Sequence, residues 1–202
     1  MVKPLIIAIN GSPNRDGNTS FLLQQALAES TQRGANTEIL FCREILQDQS
    51  NPFCVNCSSP CSGKCYNNKK LAKAYSLMSK ADALILGSPV FFGTISAQLK
   101  AFFDKSRLLR TEKRLINVIG GAVVVGASRF GGQETTMRAM HDIMLVHGML
   151  IVGDGYIEDD CGHMGVGAQR PSSEDENAIR RSRILGKRIY QVAAATVNLR
   201  GR

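Results

Sequence analysis

Gly11-Ser12-Pro13-Asn14-Arg15-Asp16-Gly17-Asn18-Thr19-Ser20 follows directly on the apolar run Pro4-Leu5-Ile6-Ile7-Ala8-Ile9. The run is too short for a helix and too apolar for a half-exposed strand, so it predicts a buried parallel strand. Beyond the turn, Leu22, Leu23, Ala26 and Leu27 fall on one side of a helix. A strand, a small-residue turn and a helix N-terminus bring unpaired N–H groups and the positive end of a dipole together, which suits an anion. An ordinary βα turn with a helix cap fits the same residues equally well.

What is missing narrows the anion. A triphosphate loop needs Lys then Ser or Thr after its last glycine, whereas Gly17 is followed by Asn18 and Thr19. A dinucleotide fingerprint needs three glycines at set spacing, and only Gly11 and Gly17 are present. The hydroxyls and amides that remain (Ser12, Asn14, Asn18, Thr19, Ser20) can donate several hydrogen bonds to one terminal phosphate.

The 202 residues suit one domain over 1–202, with a sizeable core. No apolar stretch is long enough to span a bilayer and no signal-peptide pattern opens the chain, so a cytoplasmic protein is expected. The net charge of +8 comes from 25 basic against 17 acidic residues. Much of the excess lies in 100–114 and 180–188, on expected helices, where a solvated face is the plain reading. No nucleic-acid motif accompanies it. An acidic partner or anionic ligands would be drawn to such a surface.

Further along, 36–41 predicts a second strand and 42–66 a long Cys-rich insertion. A helix follows over 67–80 and a third buried strand over 83–89. Helical periodicity covers 97–109, and the strongly apolar 120–126 lies within a fourth strand region, 115–127. A helix at 133–147, a fifth strand at 149–152 and a last helix within 171–196 complete the chain, Ser173 and Glu176 matching a capping box. Ala178, Leu185, Ile189, Val192 and Thr196 share one face of that helix. Alternating strands and helices imply a doubly wound α/β fold with five parallel strands. Its ligand site lies beyond the carboxyl ends of the strands, so loops 11–20, 88–94 and 127–133 share it.

The second loop reads Gly87-Ser88-Pro89-Val90-Phe91-Phe92-Gly93-Thr94-Ile95-Ser96-Ala97-Gln98-Leu99-Lys100. Its paired aromatics suit a satellite core, a subunit interface or a flat aromatic ligand. The third is Ala127-Ser128-Arg129-Phe130-Gly131-Gly132-Gln133-Glu134. With the first loop and Asp104, these motifs resemble the flavodoxin-like NAD(P)H-dependent FMN reductase family over nearly the whole chain. The resemblance implies FMN, its phosphate held by Ser12, Asn14, Asn18, Thr19 and Ser20. Pro89, Val90, Phe91, Phe92, Gly93 and Thr94 would line the isoalloxazine and ribityl chain. Ala127, Ser128, Arg129, Gly131 and Gly132 would stand on the other side of the ring. Family members often carry Arg where this chain has Asn14. The resemblance also implies a homodimer or homotetramer, consistent with Phe91, Phe92 and Phe130 being exposed.

Cys54, Cys57, Cys61 and Cys65 crowd one loop. Ionised together they would repel unless a metal took up the charge, and four thiolates suit either an iron–sulfur cubane or structural zinc. The loop resembles that of the iron–sulfur flavoprotein branch, which implies a 4Fe–4S cluster. That branch usually has two residues between its second and third Cys, where this chain has Ser58-Ser59-Pro60. Zinc, a disulfide and empty thiols remain alternatives. Cys42 reads as a buried hydrophobe, and Cys161 as part of a surface segment or one lying over a flavin. His141 and His147 are spaced wrongly for a helical ligand pair.

No catalytic triad or carboxylate pair is visible, and a flavin needs none. The expectation is an oxidoreductase passing electrons from a ferredoxin-like donor through the cluster to FMN, then to a small acceptor such as an oxygen species or quinone. One alternative is an NAD(P)H-dependent FMN or quinone reductase without a cluster. Another is a flavodoxin-like carrier, against which the positive charge argues.

Overall fold

The computed structural model describes residues 3–201. Its sheet is parallel throughout, with β1 (Leu5–Asn10), β2 (Asn36–Phe41), β3 (Ala83–Pro89), β4 (Ile119–Gly126) and β5 (Leu150–Ile151) in the order β2-β1-β3-β4-β5. The chain steps from β1 out to β2, then returns to the other side of β1 for β3. That reversal is the switch point at which such sheets open a ligand crevice.

The inner strands β1, β3 and β4 are buried on both faces because each face carries helices. Ile6, Ala8, Ala83 and Ile85 meet α1 (Asn18–Gln32) and α7 (Glu176–Ala195) through Leu22, Leu23, Leu185 and Ile189. Ile7, Ile9, Leu84 and Leu86 meet α3 (Lys70–Met78), α4 (Ala97–Asp104) and α6 (Gln133–Val146) through Leu71, Phe102 and Met140. The strict alternation inside an all-apolar run is what a sheet covered on both sides requires. No helix among the described residues is long and apolar enough to cross a membrane.

Four expectations need correction. The Cys-rich insertion follows β2 as expected, but it is not without structure of its own: Cys42–Leu46 form a short helix, α2, which buries Cys42, Ile45 and Leu46. The helix expected over 97–109 breaks at Lys105–Ser106, and α5 (Arg107–Thr111) follows. At the break the Ser106 hydroxyl donates to Phe103 O (2.6 Å) and lies 2.9 Å from His147 Nε2. The cap of α7 is Asp175, whose Oδ1 accepts the Ala178 N–H at 2.9 Å, rather than the Ser173–Glu176 box.

The fifth strand is split. β5 pairs with Ile119 and Gly120 of β4, and a further strand, β6 (Val166–Gln169), pairs with Val123–Gly126 beyond it. Residues 152–165 leave the sheet between these halves and return to the same edge. The sheet therefore has six strands in five positions.

Candidate functional site

The first loop is curled by its own side chains. Asn10 Oδ1 accepts the Ser12 N–H at 2.8 Å, and Ser12 Oγ accepts the Asn14 N–H at 3.1 Å. The Gly11 N–H donates to Gly87 O at 2.8 Å, and the Ser96 hydroxyl donates to Gly11 O at 2.6 Å. Loop one is thus fixed to the start of the second loop and to the cap of α4.

Helix α1 begins at Gly17 with no side-chain cap and no acidic residue in its first turn. The hydroxyl of Ser20 is buried there without a partner, as is Asn10 Nδ2. Free N–H groups, orphaned polar atoms and the helix dipole together fit a phosphate. Asn18 has a second role: its Oδ1 accepts the Ser172 N–H at 2.7 Å, so its Nδ2 is the donor left for an anion. Arg15 is drawn away into an ion pair with Glu44 and lies 4.4 Å above the Phe41 ring.

The second loop turns on two residues in the left-handed region, Phe92 (φ 50°) and Gly93 (φ 76°). Phe91 and Thr94 exchange both backbone hydrogen bonds across them, at 2.9 and 3.1 Å. This is the twist of a primed hairpin turn, and it leaves the bulky Phe92 fully exposed on strained backbone. The loop is tied to its neighbours by Val90 N–H to Val125 O (2.9 Å) and by the Thr135 hydroxyl to Gly93 O (2.6 Å). All three loops therefore meet at one edge, the second between the other two.

The third loop is held from within by Gln133, which lies next to the expected residues without being among them. Its Oε1 accepts the Gly131 N–H at 2.8 Å, and its Nε2 donates to Ser128 O at 2.6 Å and Ala168 O at 3.3 Å. Arg129 and Phe130 point outward, the guanidinium 5.8 Å from the ring centroid.

Cys54, Cys57, Cys61 and Cys65 are all free thiols, Cys57 and Cys65 exposed and the other two half-buried. Among the described residues no three His, Cys, Asp or Glu side chains converge as metal ligands. The loop nonetheless has a fixed seat: Arg107 donates to Asn56 Oδ1, and Gly63 rests against Leu108 and the Tyr66 hydroxyl. Burial pushes the Tyr66 hydroxyl up to about 12, with the charges of Cys61 and Cys65 adding to it. Tyr75 stacks edge-on against Tyr66 at 5.1 Å and is pushed well up too, chiefly by burial and secondarily by charges that include Cys65 and Cys54. Three of the four thiols thus lie within electrostatic reach of one tyrosine pair. Cys42 is fully buried and its thiol is pushed far up by desolvation, an inert core residue as expected.

The basic run of α7 is not an open docking face. Arg180 lies 3.6 Å from Asp159, Lys187 3.2 Å from Glu158 and 4.1 Å from the Tyr156 ring centroid, and Arg188 donates to Gly155 O at 2.9 Å. Arg181 holds both oxygens of Asp160 at 2.6 Å and keeps that carboxyl down at about 2. These cations clamp the 152–165 excursion. Between it and the third loop opens a cleft of about 1200 Å³, reaching from Arg129 and Gln133 to Asp154, His163 and Arg181.

The family model for NADPH-dependent FMN reductase matches residues 4–163. The chain is 41% identical to an iron–sulfur flavoprotein of Methanocaldococcus jannaschii, over 93% of this chain and 96% of that one. It is 33% identical to an NAD(P)H dehydrogenase (quinone) of Chromohalobacter salexigens, over 59% of this chain and 66% of the relative. The crystal structure of a WrbA-like flavodoxin from Agrobacterium tumefaciens superposes with a TM-score of 0.67 at 19% identity, covering 96% of this chain and 99% of the other. The fold is flavodoxin-like.

Proposed function

The chain belongs to the NADPH-dependent FMN reductase family, in its iron–sulfur flavoprotein branch, and is a flavin-dependent oxidoreductase; from that premise we propose that it passes electrons through a 4Fe–4S cluster to FMN. One observation carries the flavin's placement. The uncapped, acid-free start of α1, with the orphaned Ser20 hydroxyl, faces the switch point. There Ser12, Asn14, Asn18, Thr19 and Ser20 hold the phosphate. Residues 89–94 and 127–132 bracket the ring, held together by Thr135 and Gln133.

FMN, when bound, supplies hydride and single-electron chemistry. The protein's own residues orient it, offer backbone N–H groups to its polar edge and place Phe91 and Phe92 beside the mouth. Cys54, Cys57, Cys61 and Cys65 are the ligands of the cluster, a one-electron port for a ferredoxin-like donor, and the +8 charge favours an acidic donor. The acceptor is a small molecule, an oxygen species or a quinone. The exposed Phe92 and Phe130 favour a homo-oligomer, and six free cysteines favour a reducing cytoplasm.

A second reading, an NAD(P)H-dependent quinone reductase without a cluster, is supported by the 33% identity to a relative named NAD(P)H dehydrogenase (quinone). Anaerobic mixing with reduced ferredoxin decides between them. The cluster reading expects rapid FMN reduction that Cys57→Ser slows by about tenfold or more while FMN stays bound. Fast reduction by NADPH that is indifferent to Cys57→Ser supports the second reading.

A further inference from the structure

The two basic runs of the chain meet different surroundings. Carboxylates of the 152–165 excursion fold against the run on α7, whereas the run through α5 meets the Cys loop. Arg107 donates to Asn56 Oδ1, and a Cβ on Gly63 would stand 3.0 Å from Leu108 and 3.1 Å from the Tyr66 hydroxyl. The loop and α5 therefore form one continuous face.

Charge gathers on that face. Residues 50–73 hold four lysines and no carboxylate, and 105–114 hold five cations and only Glu112. Of the 25 basic and 17 acidic residues, nine and one lie here, which leaves sixteen of each elsewhere. The whole +8 of the chain belongs to these two segments. Lys105 alone among the nine cations is buried. Arg114, 2.9 Å from Glu112, is the only one in an ion pair among the described residues. Asp48, at the margin, is spent on the Lys70 N–H at 2.7 Å. Concentrated charge of one sign draws and orients a partner of the other.

The face also carries apolar surface. Phe53 and Val55, either side of Cys54, are 60% and 62% exposed. Their backbone is fixed: Asn51 Oδ1 accepts the Phe53 N–H at 3.0 Å, and Asn56, next after Val55, is the residue that Arg107 grips. Exposed apolar side chains beside solvated charge have the make-up of a docking surface. Cys57 and Cys65 are exposed on the same loop.

We propose that this face docks an acidic electron-donor protein, whose carboxylates meet Lys64, Lys73 and Lys113 and whose apolar side chains cover Phe53 and Val55. The inference rests on the reading of the Cys loop as an electron port. A second copy of this chain is a poor occupant, because a two-fold contact would set the same cations against themselves. Nucleic acid would satisfy the cations through its phosphates and leave the aliphatic Val55 uncovered.

The test measures binding between oxidised proteins, so that no turnover is needed. An acidic ferredoxin is titrated anaerobically into the FMN-loaded protein and its dissociation constant is read by calorimetry. Affinity is expected to fall by about tenfold or more between about 10 and about 150 mM salt, as the screening length shrinks from about 30 to about 8 Å. Lys64→Glu, Lys73→Glu and Lys113→Glu combined are expected to weaken binding by about 100-fold at the lower salt. Arg33→Glu, Arg138→Glu and Arg183→Glu combined change the net charge equally but off the face, and are expected to weaken it by less than about threefold. Phe53→Ser is expected to weaken it by about tenfold at both salts. No detectable binding, equal losses from the two charge triplets, a salt-independent constant, or tighter binding of a mixed-sequence oligonucleotide than of ferredoxin would overturn the proposal. Iron is determined on the same sample: an iron-free protein removes the electron port, and the titration still decides the face.

Discussion

Gln133 folds back across the start of its own helix so that its Oε1 takes the Gly131 N–H at 2.8 Å. Its Nε2 reaches Ser128 O on the same loop and Ala168 O on β6, so a single buried amide sets the shape of the loop assigned to the flavin ring. Gln133→Leu leaves a buried N–H and two carbonyls unsatisfied, a cost of about 1–3 kcal/mol. FMN affinity, read by quenching of flavin fluorescence, is expected to fall by about tenfold or more, one decade per 1.4 kcal/mol. An unchanged dissociation constant would contradict this role.

Asn18 allows the proposed phosphate contact to be separated from the fold. Asn18→Asp keeps an oxygen for the Ser172 N–H, now 2.7 Å from Oδ1, but replaces the Nδ2 donor with negative charge. FMN binding is expected to weaken by about 10- to 100-fold, as loss of a charge-assisted bond and added repulsion predict, and riboflavin binding to change little. Equal losses for both flavins would place the phosphate elsewhere.

His147 makes stability depend on pH. It is buried beside Phe103, with Nδ1 unpartnered and Nε2 on Ser106, and burial, with Arg110 adding, lowers it from 6.5 to about 4. The unfolded chain therefore binds the proton first. The stabilisation is complete above about 6.5 and is lost as pH falls toward about 4, amounting to about 3 kcal/mol. Urea midpoints across that range are expected to drop in the wild type and to flatten in His147→Gln. Parallel slopes would assign the loss to other groups.

Gly186 sits where α7 touches α1, and a Cβ there would stand 2.1 Å from Ala26 O. Alanine gains about 1 kcal/mol in helix propensity. Forcing two backbones apart costs about 1–3 kcal/mol and also strains the Ser30 hydroxyl bond to Gly186 O at 2.9 Å. Gly186→Ala is expected to lower the unfolding midpoint in urea, and a rise would mean the helices part freely.

Much of this was legible in the chain because it is local. The apolar runs at 5–10, 83–89 and 119–126 are strands buried on both faces, and their continuity shows it. The three loops follow from where those runs end. What escaped depends on residues far apart in sequence. β6 is four residues long, and only its seat on β4 makes it a strand. Helix 97–109 breaks where Ser106 meets His147, a contact no periodicity contains. The basic run at 180–188 looks like a solvated face until Asp159, Asp160 and Glu158 fold against it. Gln133 carried a faint signal as a polar residue next to two glycines.

The pairing of FMN with a cluster on the Cys loop is tested most directly by an anaerobic visible spectrum with iron, sulfide and zinc determined on the same sample. Flavin bands above a broad shoulder are expected, with about four irons and as many sulfides per chain and no zinc. Flavin bands over an iron-free protein would contradict it, leaving Cys54, Cys57, Cys61 and Cys65 as plain thiols on a quinone reductase.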